Sequence, residues 1–425
     1  MTMVLRNGRF QFVVLGLLLA GFTAQPCTAQ SATYATLYSF SGGTDGALPE
    51  GGVTIGKSGA LYGATYFGGS NGLGTAFKLT LAGKQWTETV LYDFAGGADG
   101  ANPAADLVVR HSGAFYGTTT SGGSSGGGTV FELVPSETGA WTERVLYAFE
   151  SNYAAPQGAV LIGSGGTLYT TVISGAAVAV TPPSAPGGNW TGAVISSLGG
   201  QPYTGLVSQG GALFGTTFNG GDDNIGAVYQ LAPPAAAGDA WRLTTLHSFG
   251  TTPSDGGGPS ASLTIGKDGV LYGTTFYGGS GTPCFYSSGC GTVFQMTPPA
   301  APGGSWTETV LYSFTGQNGD GAYTYGPVVP GKNGVLYGTT EFGGNVGSCR
   351  DFYGVPGCGT VFQLTPPAAP GGAWTETVLH QFTGQNSDGA LPEAPLALGS
   401  NGQLYGTTTH GGATGNGTVF VVNPN

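Results

Sequence analysis

The chain has 425 residues, of which 83 are glycine, 11% are aromatic and only 8% are charged. Its formal net charge of −11 disfavours nucleic acids and anionic membrane surfaces as partners, because both require a basic face. So few charges are unusual, but the aromatic content and the regularly placed valine, leucine and phenylalanine residues indicate a packed core rather than disorder. We therefore expect a globular protein in which glycine marks turns between many short strands.

Residues 1–29 have the pattern of a secretory signal peptide. Arg6 and Arg9 give a basic start, residues 12–22 are apolar, and Ala29 supplies the small residue that precedes a cleavage point. The apolar segment is too short to span a bilayer comfortably, and we find no later segment with the pattern of a membrane anchor. We predict a cleaved signal and a mature chain of residues 30–425, secreted or periplasmic.

Seven copies of one pattern follow: Leu-Tyr-Gly-Thr-Thr, a Gly-Gly loop, Gly-Thr-Val-Phe, and then Trp-Thr-Glu-x-Val-Leu-Tyr-x-Phe. The aromatic residue of the first motif stands at Tyr62, Tyr116, Tyr169, Phe214, Tyr272, Tyr337 and Tyr405. The copies are 45 to 68 residues apart, which is too long for one turn of a β-solenoid and typical of a propeller blade. The sequence predicts an all-β, seven-bladed β-propeller of four-stranded antiparallel blades. A solenoid or two stacked sandwiches is the alternative.

The two ends of the repeat region complement each other. Residues 35–40 have the pattern of a lone fourth strand, and residues 417–422 that of a lone third strand. Pairing them would complete the last blade, close the ring and remove two exposed edges. Repeats three and four are degenerate, since both lack the Asp-Gly loop of the others, so we do not expect a functionally uniform ring.

Four cysteines remain after the predicted signal peptide. Cys284 and Cys290 flank one loop, and Cys349 and Cys358 flank the equivalent loop of the next repeat. In an exported chain this placement predicts two local disulfides, Cys284–Cys290 and Cys349–Cys358. A zinc site made by the four thiolates of these neighbouring loops is the alternative.

The motifs above, with the Asp-Gly-Ala-Leu-Pro turn at residues 388–392, resemble the Gloeo_Verruco (GloVer) tandem repeat of secreted bacterial proteins. The resemblance covers nearly all of residues 34–422. It implies a surface or exported protein and supplies no shared catalytic residue. Family members often carry a variable C-terminal anchor, and because none is recognisable here, a released or periplasmic protein is expected.

Propeller geometry puts the Gly-Gly and Asp-Gly loops on one face, where a binding site is expected. Aromatic rings with polar neighbours suit sugar stacking, although such rings can also pack between blades. The predicted ligand-binding residues are Phe276, Tyr277, Tyr286, Glu341, Phe342, Arg350, Asp351 and His410. We favour a non-catalytic monomer that binds a glycan or an extracellular protein there. A structural module of the envelope or matrix is a further alternative.

The enzymatic alternative depends on a few carboxylates and one histidine. Glu50 and Glu393 begin the innermost strands of blades 1 and 7, where they could form the carboxylate pair of a glycoside hydrolase. His410 could serve as the base of a polysaccharide lyase. A solvated funnel rim is the other interpretation of the two glutamates.

No cofactor is required by any motif, but calcium is possible at the Asp-Gly turns. The candidate ligands are Asp320 and Asp388. An aspartate before glycine also caps its own turn, and its repetition in five blades favours that structural role.

Overall fold

The computed structural model describes residues 32–424, except for 111, 151–154, 237, 253, 282–283, 285–288, 302, 345–346, 348, 350–353 and 370. The described chain forms seven four-stranded antiparallel sheets arranged as blades of a ring, which confirms the predicted β-propeller. These residues contain no α-helix, only short 3-10 turns. Among them, no helix is long and apolar enough to cross a membrane.

The strands of blades 1 to 4 pair in chain order, from a short inner strand to a long outer one. Blade 1 contains Thr54–Ile55, Leu61–Thr65, Thr75–Ala82 and Gln85–Asp93. Blade 2 contains Val108–Val109, Phe115–Thr119, Thr129–Pro135 and Trp141–Ala148. Blade 3 contains Leu161–Ile162, Leu168–Val172, Ala176–Thr181 and Thr191–Ser197. Blade 4 contains Val207–Gln209, Ala212–Thr217, Ala227–Ala232 and Arg242–Ser248.

Blades 5 and 6 repeat this order, and blade 7 takes its outer strand from the beginning of the described chain. Blade 5 contains Thr264–Ile265, Leu271–Thr275, Thr292–Thr297 and Thr307–Ser313. Blade 6 contains Val329–Pro330, Leu336–Thr340, Thr360–Thr365 and Thr375–Gln381. Blade 7 contains Ala397–Leu398, Leu404–Thr408, Thr418–Asn423 and Thr33–Ser39, the last two being antiparallel neighbours.

Small ladders join the linkers between blades to the Gly-Gly loops. Gly256–Gly257 pairs with Tyr277–Gly278 in blade 5, and Gly389–Ala390 pairs with His410–Gly411 in blade 7. Blades 2 and 6 have equivalent ladders, and blade 1 has a single bridge between Ala47 and Phe67. The two loop types therefore lie on the same face of each of these blades.

The repeat motif is explained by tight contacts inside each blade, as blade 5 illustrates. A Cβ atom on Gly273 would lie 2.3 Å from the Phe294 ring on the neighbouring strand, so the glycine leaves room for that ring. A Cβ on Gly256, in the Asp-Gly turn, would lie 2.5 Å from Thr275 Oγ1. The Thr275 and Thr292 hydroxyls are buried and hydrogen-bonded at 2.9 Å.

Five blades contain this buried threonine pair, in which the first hydroxyl donates to the carbonyl two residues further on and accepts from the second hydroxyl, so that both are satisfied away from water. The pairs are Thr65–Thr75, Thr119–Thr129, Thr275–Thr292, Thr340–Thr360 and Thr408–Thr418. Blades 3 and 4 place Val172 opposite Ala176 and Thr217 opposite Ala227, and so lack it.

Apolar packing between blades forms the core. The tryptophan that begins an outer strand contacts the motif aromatic of the preceding blade: Trp306 lies 5.7 Å from Phe214, and Trp241 lies 5.7 Å from Tyr169, between ring centroids. Phe294 and Leu271 are fully buried in the same cluster as Phe214. Both faces of each blade are therefore apolar, as the strand pattern predicts.

Both predicted disulfides are confirmed. Cys284 is bonded to Cys290, and Cys349 is bonded to Cys358. These bonds close loops of 6 and 9 residues on blades 5 and 6, so the thiols are paired locally rather than gathered into one four-thiolate zinc site.

Candidate functional site

A cavity of about 420 Å³ lies at the axis of the ring. Its wall receives one residue from the same repeat position of every blade, at the entrance to the inner strand and, in six blades, directly after a proline. In blade order these residues are Glu50, Ala104, Gln157, Tyr203, Ser260, Tyr325 and Glu393. This position differs from blade to blade, unlike the surrounding motif, so the ring of seven side chains is chemically asymmetric.

Two carboxyl groups from adjacent blades face the cavity. Burial, together with the nearby charge of Glu393, raises the pKa of Glu50 to about 7. Burial also raises the pKa of Glu393 to about 7, against a hydrogen bond from Thr409 that lowers it. Two such groups cannot both ionise freely near neutral pH, so the pair can hold one proton and one negative charge.

A third carboxyl group lies deeper in the same wall. Asp106 accepts the backbone N–H of Gly52 at 2.6 Å, which joins blade 2 to the entry of blade 1. Burial raises the pKa of Asp106 to about 6, and that hydrogen bond lowers it by less. The described lining contains no lysine or arginine, so the cavity disfavours anions.

Thr409 links two of the three predicted catalytic candidates, Glu393 and His410. The Thr409 hydroxyl lies 3.4 Å from Glu393 Oε1 and 3.1 Å from His410 Nδ1. The His410 ring is exposed at the start of the Gly-Gly loop of blade 7, and its partial desolvation lowers the pKa of His410 below the ordinary value. Glu50 and Glu393 both line the cavity, whereas His410 lies outside the lining and reaches Glu393 only through Thr409.

Tyrosine rings form the neighbouring part of the wall. Tyr325 of blade 6 is 37% exposed, and Tyr203 of blade 4 is half-buried. Burial raises the pKa of Tyr325 above its ordinary value, with smaller contributions from Glu341, Glu393 and Tyr203, so all three groups lie near its hydroxyl. An exposed aromatic face therefore stands beside the carboxyl pair.

Three aromatic residues of the predicted ligand-binding set pack behind this wall. Phe276 stacks on Tyr323 at 4.6 Å and contacts Tyr325 at 5.0 Å, between ring centroids. Phe342 lies edge-on to Tyr323, and Tyr277 lies edge-on to Phe218. The predicted residues Phe276, Tyr277, Glu341 and Phe342 are half-buried and do not line the cavity.

Three further predicted ligand-binding residues, Tyr286, Arg350 and Asp351, lie outside the described residues. Sequence reasoning missed Tyr203 and Tyr325, which are absent from the predicted set although they line the cavity. The signal was present as the variable position after the repeated proline, occupied by Glu50 and Glu393 in two blades and by tyrosine in two others.

The carboxylate oxygens of the two predicted calcium ligands accept hydrogen bonds from their own turns. Asp320 accepts hydrogen bonds from Thr315 N, Thr315 Oγ1 and Gly321 N. Asp388 accepts the equivalent bonds and also contacts His380 Nε2 at 3.1 Å. This geometry suits the turn-capping alternative, and calcium binding at these residues remains a prediction.

One group among the described residues has the composition and spacing of a metal site. His247, Asp255 and Glu308 place one ligand atom each within 4.8 Å of one another, at the junction of blades 4 and 5. The group is separate from the axial cavity.

Comparisons with known proteins agree with the repeat pattern. The Gloeobacter/Verrucomicrobia repeat matches residues 22–180 and 187–353. No curated protein matches the sequence significantly.

Among solved structures, the chain is similar to a protein assigned as a 6-phosphogluconolactonase from Bacteroides uniformis, with 14% identity, a TM-score of 0.47 and coverage of 81% of this chain and 85% of that one. A calcium structure of a Trichoderma reesei carbohydrate-active enzyme of family AA12 is 13% identical, with a TM-score of 0.40 and coverage of 93% and 96%. A protein assigned as an oxidoreductase (glucose dehydrogenase) from Thermus thermophilus is 15% identical, with a TM-score of 0.40 and coverage of 92% and 100%.

Proposed function

This chain belongs to the Gloeobacter/Verrucomicrobia repeat family, and we propose that it binds a glycan in the axial cavity that its own blades enclose. The observation that carries the proposal is the exposed ring of Tyr325 beside the carboxyl pair of Glu50 and Glu393. A tyrosine face covers the apolar side of a pyranose, while carboxyl oxygens accept hydrogen bonds from its hydroxyls.

The size and charge of the cavity narrow the class of ligand. A volume of about 420 Å³ is at the small end for ligand sites, so a short glycan or the end of a chain is the appropriate occupant. Because the described lining carries carboxyl groups without basic partners, we propose an uncharged sugar in preference to a uronate or a phosphorylated sugar. The disulfides suit an exported protein, and we propose that it acts outside the cytoplasm.

Glycoside hydrolysis is the second candidate, and one observation favours it. Glu50 and Glu393 both have a pKa near 7 and repel each other, so one can be protonated while its neighbour is ionised. A hydrolase needs that combination of a general acid with a nucleophile or base. Both candidate functions require the same ligand, and only the hydrolase would also cleave it.

The test is retention of the purified protein on a panel of immobilised neutral and acidic polysaccharides, followed by an assay of released sugar. We expect retention on a neutral polysaccharide, weakened at least tenfold in Tyr325→Ala. Lys84→Ala, a change at an exposed turn of the outer edge of blade 1, is the matched control and should bind normally. Release that is abolished in both Glu50→Gln and Glu393→Gln, with retention preserved, would establish the hydrolase. Failure to retain any saccharide would refute both candidates.

A further inference from the structure

Neighbouring blades of this propeller are joined on one face by a recurring group of polar side chains. The group contains a tyrosine or histidine from one outer strand, the aspartate of the Asp-Gly linker, and a glutamate from the next outer strand. At the junction of blades 5 and 6, these residues are Tyr312, Asp320 and Glu376. Tyr312 is hydrogen-bonded to Asp320, and the charges of Asp320 and Glu376 both raise the pKa of Tyr312, so the three groups lie close together. We call each such group a seam.

Among the described residues, one seam has a composition that the others lack. Three seams combine tyrosine, aspartate and glutamate: Tyr38 with Asp45 and Glu88, Tyr92 with Asp99 and Glu143, and Tyr312 with Asp320 and Glu376. A fourth joins His380 to Asp388, but Tyr34 stacks on that imidazole at 3.6 Å where the glutamate would stand. In the part of the chain that the structure describes, only the seam of blades 4 and 5 combines an imidazole with two carboxylates, from His247, Asp255 and Glu308.

The geometry of this seam is close to that of a metal centre. His247 Nε2 lies 3.3 Å from Asp255 Oδ2, about the separation of two ligand atoms on a tetrahedral zinc ion with bonds of about 2.0–2.1 Å. The third ligand atom, from Glu308, lies within 4.8 Å of both, so a movement of at most about 1.5 Å would complete the set. Glu308 Oε1 is buried and accepts no hydrogen bond, as are the equivalent atoms of Glu88, Glu143 and Glu376, so the imidazole is what distinguishes this seam.

Second-sphere contacts hold the central carboxylate in place. Asp255 accepts hydrogen bonds from Gly250 N, Thr251 Oγ1 and Gly256 N, and these fix its orientation between the other two groups. Its side chain is 4% exposed and that of His247 is 18% exposed. An ion here would be largely shielded from solvent, with water able to reach it from the histidine side.

We propose that His247, Asp255 and Glu308 bind one divalent transition-metal ion of the zinc class, which fastens blade 4 to blade 5. Imidazole and carboxylate ligands suit Zn²⁺, Co²⁺ or Mn²⁺ better than Ca²⁺, which takes six to eight oxygen ligands. In the other three seams that contain a glutamate, a tyrosine replaces the imidazole; a neutral phenol is a poor ligand and instead donates a hydrogen bond to the aspartate, as Tyr92 does to Asp99. At this seam His247 Nε2 is hydrogen-bonded to Asp255 Oδ1 at 3.4 Å, and the ion would replace that hydrogen bond.

The test is titration of the chelator-treated full chain with Zn²⁺ by calorimetry and with Co²⁺ by absorption spectroscopy. We expect one equivalent bound, a raised Tm and a visible Co²⁺ spectrum with a nitrogen ligand. His247→Tyr converts this seam into the form of its neighbours, so it should fold and bind Zn²⁺ at least 100-fold more weakly. Glu308→Gln should weaken binding as well.

A gain of binding provides the converse test. Tyr312→His gives the seam of Asp320 and Glu376 the same three ligand types, and it should raise the stoichiometry from one to two equivalents. The proposal is overturned if the wild-type chain binds no Zn²⁺ at micromolar concentration. It is equally overturned if His247→Tyr and Glu308→Gln bind as the wild type does, because the ion then lies elsewhere.

Discussion

Five blades carry an Asp-Gly turn and a buried threonine pair, whereas blades 3 and 4 carry neither. Blade 1, for example, has Asp45 and the Thr65–Thr75 pair, and blade 3 has Val172 opposite Ala176. Blades 3 and 4 nevertheless form the same four-stranded sheets. The repeated polar residues are therefore not needed to form a blade, and their contacts show that they stabilise turns and seams.

The position that lines the axis behaves in the opposite way. It is variable throughout the ring, and it places Glu50, Tyr203, Tyr325 and Glu393 in the cavity, three of them in regular blades and Tyr203 in irregular blade 4. In this protein the repeated residues therefore stabilise the structure, whereas the residues that differ between repeats give the cavity its chemistry.

Gly273 of blade 5 faces Phe294, and the equivalent pair in blade 3 is Thr170 and Val178. The two blade 5 residues can therefore be replaced by those of blade 3. Gly273→Thr alone should lower the free energy of unfolding by about 3 kcal/mol, because the new side chain meets the Phe294 ring. Adding Phe294→Val should recover about half of that loss. Urea unfolding of both single variants and the double variant gives the coupling energy. Simple additivity of the two losses would contradict the packing argument.

Loss of a turn-capping carboxylate should have a smaller effect. Asp320→Ala removes the acceptor of three hydrogen bonds and should cost about 2 kcal/mol of unfolding free energy. Asp222→Ala, at an exposed loop position of blade 4, is the matched control and should change stability by less than about 0.5 kcal/mol. Equal effects in urea unfolding would remove the distinction between the two kinds of blade.

The seams should also give the protein a pH-dependent stability. Burial, and then the neighbouring charge of Asp320, raises the pKa of Glu376 to about 8, from an ordinary value of 4.5. The folded protein therefore retains a proton that the unfolded chain releases, and this contribution to stability is lost as the pH rises from about 4.5 through about 8. Glu88 and Glu143, at the two other seams that combine a tyrosine with a glutamate, act in the same direction.

We expect the Tm to fall between pH 5 and pH 8.5, and to fall less steeply in Glu376→Gln. Asp320 and Tyr312 are the other titratable groups that face this glutamate. Thermal unfolding monitored by circular dichroism across that range measures the slope. An unchanged slope in the variant would show that Glu376 does not retain its proton in the folded state.

The smallest expected effect concerns the carboxyl pair of the cavity. Glu393→Gln removes the charge that contributes to the raised pKa of Glu50, so the pKa of Glu50 should decrease while remaining above its ordinary value, because burial is the larger cause. Carbon-13 NMR of labelled glutamate side chains measures this. An unchanged pKa would mean that the two carboxyl groups do not interact.

The sequence was sufficient to predict the fold because the repeat specifies it locally. Each copy contains its own strands, turns and inter-blade tryptophan, and the cysteines lie close enough in sequence to identify both disulfides. The cavity was predictable only in part. Glu50 and Glu393 stand out as carboxylates, whereas Tyr203 and Tyr325 are two tyrosines among 20, and only the closed ring brings them to the same wall. The proposed metal ligands His247, Asp255 and Glu308 come from two blades and the linker between them, so they too are brought together only by the fold.

The most direct test compares a cavity tyrosine with a seam tyrosine only 13 positions away in sequence. The affinity for a retained polysaccharide should be measured by calorimetry for Tyr325→Ala and for Tyr312→Phe, each variant being checked for folding by circular dichroism. The account predicts at least a tenfold loss, about 1.4 kcal/mol, for Tyr325→Ala and wild-type affinity for Tyr312→Phe. Wild-type affinity in Tyr325→Ala, or an equal loss in both variants, would contradict it.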